Sequence, residues 1–128
     1  MKRSGILNPA LAAAIARLGH TDSFVVADCG LPIPADVPVI DLSLTFGVPR
    51  FAEALAAVLR EVVIEGALGA EEARGGPIEA LLAESLGFDA EWVPHEQLKR
   101  HVREASFVLR TGECTPYANV ILRSGVPF

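Results

Sequence analysis

His20 and Asp28 are the two side chains best able to move protons, and they bracket one short apolar run, Phe24-Val25-Val26-Ala27. Four apolar residues, three of them β-branched or aromatic, are too few for a helix and predict a buried strand. Asp28 then falls at the carboxyl end of that strand, followed by Cys29-Gly30 and a loop stiffened by Pro32 and Pro34. Ligands of α/β sheets bind outside the carboxyl ends of strands, so a carboxylate there is a site candidate. An Asp that merely caps the next turn accounts for the same residue. A second polar group lies far along the chain, where Thr111 to Asn119 joins two apolar runs. Tyr117 brings a ring face and a hydroxyl, and Asn119 both donor and acceptor, a pairing suited to a ligand rich in hydroxyls. Taken alone, a turn with a packed tyrosine is the commoner explanation of them.

The elements around these residues are legible from their boundaries. Asn8 and Pro9 read as N-cap and first residue of a helix, with Leu11, Ala14, Ile15 and Leu18 on one face and Gly19 as a left-handed stop. His20 therefore follows a helix carboxyl end, where the dipole favours a protonated imidazole, useful in a proton donor. Capping for stability alone is the other explanation. Val37 to Asp41, interrupted by Pro38, predicts a short edge strand. Pro49 is expected to start a second helix through Phe51, Leu55, Val58, Leu59 and Val62, and Val62-Val63-Ile64 to form a strand. The three carboxylates from Glu65 to Glu72 have no nearby partners in sequence and are expected mostly at the solvated surface, with Glu65, just after the strand, also able to support a site. Gly75-Gly76-Pro77 should open a third helix ending at Gly87, residues 88–93 a strand, and Pro94 a fourth helix. On that helix His95 and His101 point to different faces, which argues against a shared metal, and His101 is expected to be exposed. Residues 107–109 and 120–122 predict two more strands.

A chain of 128 residues predicts one domain spanning 1–128. A net charge of -5 gives no basic stripe for nucleic acid, and no apolar run approaches a membrane span or the core of a signal peptide. A soluble, cytoplasmic protein is expected. Cys29 and Cys114 make neither a disulfide framework nor a paired-cysteine zinc motif. No glycine-rich phosphate loop follows the first strand, which argues against a nucleotide-binding Rossmann domain. Alternating strands and helices predict an α/β fold, a three-layer α/β/α domain with a mainly parallel, mixed sheet of about five or six strands. Aromatics are only 6% of a strongly apolar chain, a composition suited to burial against copies of itself.

The order of several blocks resembles the D-ribose pyranases, relatives of the fucose mutarotases. They are Arg17-Leu18-Gly19-His20-Thr21-Asp22, Asp28 with Gly30-Leu31-Pro32-Ile33-Pro34, Ile40-Asp41, Gly47-Val48-Pro49, Ala70-Glu71-Glu72, His95-Glu96-Gln97, Gly112-Glu113-Cys114 and Pro116-Tyr117-Ala118-Asn119. The resemblance runs nearly end to end, departing at Cys29, where many members carry Ala, and in a shortened glycine-rich connection around Gly75. It implies an isomerase that interconverts the β-pyranose and β-furanose forms of D-ribose in ribose catabolism, with no cofactor and no metal. It makes His20 the catalytic acid and Asp28, His95, Tyr117, Ala118 and Asn119 the substrate-binding residues. It also implies a homo-oligomer, a decamer of two pentameric rings. Rival functions are a mutarotase for another sugar such as L-fucose, or a non-catalytic sugar-binding accessory of ribose transport.

The predicted strand creates a difficulty for a one-chain site. His20 precedes its amino end and Asp28 follows its carboxyl end, roughly 13 Å or more apart at ~3.3 Å per residue. Either the Thr21-Asp22-Ser23 loop folds back, or two subunits share each site. We expect the shared site.

Overall fold

The computed structural model describes all 128 residues. Its sheet has six strands: β1 (Ser23–Ala27), β2 (Val39–Asp41), β3 (Ile64–Ala70), β4 (Glu91–Val93), β5 (Val108–Arg110) and β6 (Val120–Ser124), in the order β2-β5-β1-β6-β3-β4. β6 runs antiparallel to both of its neighbours, β1 and β3, while every other pair is parallel. Five strands therefore point one way. Their carboxyl ends share one edge of the sheet, and the chain enters β6 at that same edge.

Alternation along β1 sends side chains into two cores on opposite faces. Phe24 and Val26 join Leu11 of α1 (Pro9–Ala16), Phe51, Leu55 and Val58 of α2 (Phe51–Leu59) and Ile78 and Leu82 of α3 (Pro77–Ser85). Val25 and Ala27 join Leu98 of α4 (His95–His101) and Val102. The result is the expected α/β/α sandwich, with β2 at the sheet edge where its proline placed it. Phe24 and Phe107 stack with ring centroids 5.1 Å apart, tying β1 to the approach to β5.

Local signals set most helix starts. The Asn8 side chain accepts the Leu11 N–H at 2.9 Å and Pro9 takes the first helical position, as Pro77 does in α3 without a side-chain cap from Gly76. Four expectations need correction. Gly19 is not a left-handed stop: α1 ends at Ala16 with Arg17 still right-handed, and the left-handed residue is Thr21, at φ 70°. α2 begins at Phe51 instead of Pro49, because the Arg50 N–H is capped by Glu53 at 3.0 Å and the Phe51 N–H by Glu113 at 3.1 Å. The third strand is Ile64–Ala70, not residues 62–64, since Gly66 and Gly69 pair with β6 and draw Glu65 inside the strand. His101 is half-buried instead of exposed.

Candidate active site

At the carboxyl edge, Asp28 and Asn119 meet. The buried Asn119, 1% exposed, accepts the Asp28 N–H through Oδ1 at 2.9 Å and donates from Nδ2 to Asp28 Oδ2 at 2.8 Å. The other carboxylate oxygen of Asp28 accepts the Gly30 N–H at 2.9 Å. One amide thus fixes both the backbone and the carboxylate of Asp28, across 91 residues of chain. Charge-assisted bonds of this kind hold a rotamer firmly.

Tyr117 stands beside this pair in a left-handed backbone, φ 63°, with its N–H-to-carbonyl turn closed by Asn119 N–H donating to the Tyr117 carbonyl at 2.8 Å. A non-glycine residue in that region is uncommon and marks a position the surroundings over-determine. Its ring packs edge-on against His95, centroids 5.1 Å apart. The His95 backbone N–H, at the start of α4, is held by Glu72 at 2.9 and 3.1 Å, while its side-chain Nδ1 is buried without a partner. Native proteins leave few such groups unpaired, and they concentrate where function requires them. Asp28, His95, Tyr117 and Asn119 line one open cleft of about 260 Å³, with Gly30, Leu31 and Pro32 on its rim. That is below the ~300–1,000 Å³ of sites for drug-sized ligands. A larger depression of about 600 Å³, between the N-terminal residues and α2, contains none of the candidate residues. Ala118 is fully buried, its N–H donating to the Thr115 carbonyl, and it does not line the cleft.

Glu113 is the group that organises this loop, and its role was not evident from sequence. Oε1 accepts from Cys114 N–H (3.0 Å), Thr115 N–H (3.1 Å) and the Thr115 hydroxyl (3.0 Å), while Oε2 caps α2 at Phe51. Partial burial alone would raise this carboxyl, but the donors at Thr115, Phe51 and Cys114 more than offset it and hold it below the usual carboxylate range. Its signals in the sequence are a Glu one residue after a glycine in a polar loop and its place in the Gly112-Glu113-Cys114 block of the resemblance. Cys29 is half-buried and lines the cleft next to Asp28, its N–H donating to the Glu113 carbonyl at 2.9 Å. Burial, then the hydrogen bond and charge of Cys114, push its thiol up.

His20 lies at the other edge. It sits before β1, outside the cleft, with its side chain 53% exposed and Nε2 2.9 Å from Glu65 Oε2. The loop does not fold back to Asp28, so a single chain assembles four of the six predicted residues around one opening, buries Ala118 behind them and leaves His20 apart.

The model of the RbsD / FucU transport protein family matches residues 1–127. Among curated proteins, the D-ribose pyranase of Cutibacterium acnes is 57% identical over 128 residues and that of Corynebacterium glutamicum 56%, each covered completely, as is this chain. Among solved structures, Bacillus subtilis RbsD complexed with D-ribose superposes with a TM-score of 0.95 at 43% identity, both chains covered in full. The fucose mutarotase of Streptococcus pneumoniae in complex with L-fucose shares the fold at a TM-score of 0.77 and 22% identity, over 95% of each chain.

Proposed function

The chain belongs to the RbsD / FucU transport protein family, and from that premise we propose that it is a D-ribose pyranase, an isomerase interconverting the pyranose and furanose forms of D-ribose. The observation that carries this reading is full-length identity of 57% to a D-ribose pyranase together with a cleft into which Asp28, His95, Tyr117 and Asn119 converge. Interconversion requires loss of the anomeric hydroxyl proton, protonation of the ring oxygen as its bond to C1 breaks, and reclosure of the aldehyde through a different hydroxyl. No electrons are transferred and the proton count is unchanged. Positioned acid-base help is worth ~10²–10⁴ in rate, about 3–5 kcal/mol of barrier, which is sufficient for a sugar that already interconverts unaided.

In this reading His20 is the acid that serves the ring oxygen. Asp28 accepts from sugar hydroxyls, held by Asn119; His95 and Tyr117 wall the cleft and present polar edges to the same ligand, with the remaining Asn119 N–H as a further partner and the buried Ala118 backing the loop that carries them. The sites are shared between subunits, His20 of one copy facing the cleft of the next, in a ring-forming homo-oligomer such as a decamer of two pentameric rings. Support for the sharing comes from the separation of His20 from Asp28 across the length of β1 and from the apolar tip beside the cleft, where Leu44 and Phe46 are each 83% exposed. We place the activity in the cytoplasm; no helix here is long and apolar enough to cross a membrane.

Saturation-transfer NMR on D-ribose tests the reading directly. The wild type is expected to accelerate exchange between pyranose and furanose signals, and His20→Ala to abolish the acceleration. Binding of ribose without acceleration by the wild type would instead identify a sugar-binding accessory, and acceleration of fucose alone would change the substrate.

A further inference from the structure

Glu65 reaches His20 from an irregular place in the sheet. In the β3–β6 ladder Ile64 pairs with Ser124 and Gly66 with Arg123, so β3 advances two residues where β6 advances one. Glu65 is the extra residue, and a bulge re-aims its side chain out of the normal alternation. The carboxylate is forked between two partners, with Oε2 2.9 Å from His20 Nε2 and Oε1 3.1 Å from Arg123 Nε.

The surroundings are shaped for this fork. A Cβ on Gly66 would come within 3.3 Å of the Arg123 guanidinium, and one on Gly125 within 3.2 Å of Glu65 Cβ, so both glycines leave room for it. The loop that carries His20 is equally constrained. Thr21 occupies the left-handed region at φ 70°, costly for a β-branched residue. It is held there by Thr21 N–H donating to Ser124 (2.9 Å), Ser124 N–H to the Asp22 carbonyl (2.8 Å) and Gly19 N–H to the Asp22 carboxylate (2.8 Å). All three members of the fork are at least one-third exposed, His20 at 53%, Glu65 at 33% and Arg123 at 56%. Exposed ion pairs add little to stability. A bulge, two glycines and a left-handed threonine are a large structural commitment for an interaction that scarcely stabilises the fold.

We infer that Glu65, anchored by Arg123, is a positioning residue for His20. By holding one ring nitrogen it fixes the orientation and tautomer of the imidazole, so that the other nitrogen is the one that faces the sugar. With both ring nitrogens protonated, the one facing the sugar gives its proton to the ring oxygen as the C1–O bond breaks, while the anomeric hydroxyl proton passes to water; on reclosure that nitrogen recovers a proton from the attacking hydroxyl and the aldehyde oxygen takes one from water. An imidazole free to turn would present the wrong nitrogen, or none, for part of the time. The inference rests on the mutarotase reading, with His20 as its acid.

The test compares wild type, Glu65→Ala, Glu65→Gln and Arg123→Gln by ribose exchange kinetics and by ¹⁵N NMR of labelled histidine. Glu65→Ala is expected to lower kcat about 10- to 100-fold, the usual cost of losing a partner that orients a functional histidine, with the KM for ribose within about two-fold. Its His20 nitrogens should pass from one tautomer to a mixture, at an unchanged melting temperature. Glu65→Gln, nearly isosteric and still able to accept a hydrogen bond, should recover most of the loss and carries the test if Glu65→Ala does not fold. Arg123→Gln should fall between. Wild-type kcat in Glu65→Ala would overturn the inference, as would a loss that appears in KM while the His20 nitrogens keep the wild-type pattern. If the wild type itself fails to accelerate ribose exchange, the mutarotase reading fails, and the nitrogen spectra still decide whether Glu65 sets the His20 tautomer.

Discussion

Asn119 shows why residue type alone misjudges a role. As an isolated amide in a polar loop it promises a direct ligand contact, yet its buried side chain is committed to Asp28 at 2.8 and 2.9 Å. Replacing it with Ala leaves the half-buried Asp28 N–H and one of its two carboxylate oxygens without their partner, a penalty of about 1–3 kcal/mol. Asn119→Ala is therefore expected to lower the melting temperature by several degrees and weaken ribose binding, measured by thermal denaturation and titration calorimetry. Cys29 makes the opposite case. Its thiol is pushed up by burial and by Cys114, so it stays protonated at neutral pH. Timed labelling at pH 7 should find it slow to react with a thiol-specific reagent, with the rate rising as pH increases. Cys29→Ala should leave the ribose exchange rate within about two-fold of wild type.

Among the elements, the loop from Thr111 to Asn119 is the one whose geometry depends on contacts far along the chain. Glu113 ties it to the start of α2, and its carboxyl lies below the usual range because Thr115, Phe51 and Cys114 donate to its charged form against the opposing effect of burial. A depressed folded value means the contribution to stability is fully present above the unfolded value, ~4.3, and is lost as pH falls through the lower folded value. Denaturant titrations from pH 6 down to pH 3 should show wild type losing more stability than Glu113→Gln over the acid part of that range. Gly112 makes a second long-range constraint. A Cβ there would stand 2.3 Å from the Val48 carbonyl oxygen and 2.5 Å from that of Thr45. Backbone atoms cannot yield as a side-chain tip would, so Gly112→Ala is expected to cost about 1–3 kcal/mol, read as a lower denaturation midpoint.

At the scale of the whole molecule, the direction of the strands separates the candidate residues. Five parallel strands deliver Asp28 and His95 to one edge and the antiparallel β6 brings Tyr117 and Asn119 there, while His20, Glu65 and Arg123 collect at the opposite edge. A shared site makes a prediction that no one-chain site can satisfy. His20→Ala and Asp28→Asn should each be inactive alone, yet mixed, dissociated and reassembled oligomers should regain part of the ribose exchange rate, because some boundaries then carry one intact His20 and one intact Asp28. Absence of recovery in verified mixed oligomers would place the whole site within one chain.

Much of this was legible in the sequence, because it depends on near neighbours. Asn8-Pro9 begins a helix through capping and a preset φ and Gly76-Pro77 another through the preset φ of Pro77, the 24–27 run makes a strand by its branched and aromatic residues, and Pro38 keeps β2 at the edge. The separation of His20 from Asp28 followed from strand rise alone. Strand order did not follow, nor did the Asn119 clasp on Asp28, the Glu113 staple and the bulge that turns Glu65 toward His20, contacts that join groups between 45 and 91 residues apart. Such pairings are selected by how two cores pack on the faces of one sheet. The sequence by itself therefore determined which groups are present and which elements carry them, through short-range sterics and hydrogen bonding; only the tertiary structure decided which of them meet, because register and topology are properties of the assembled sheet.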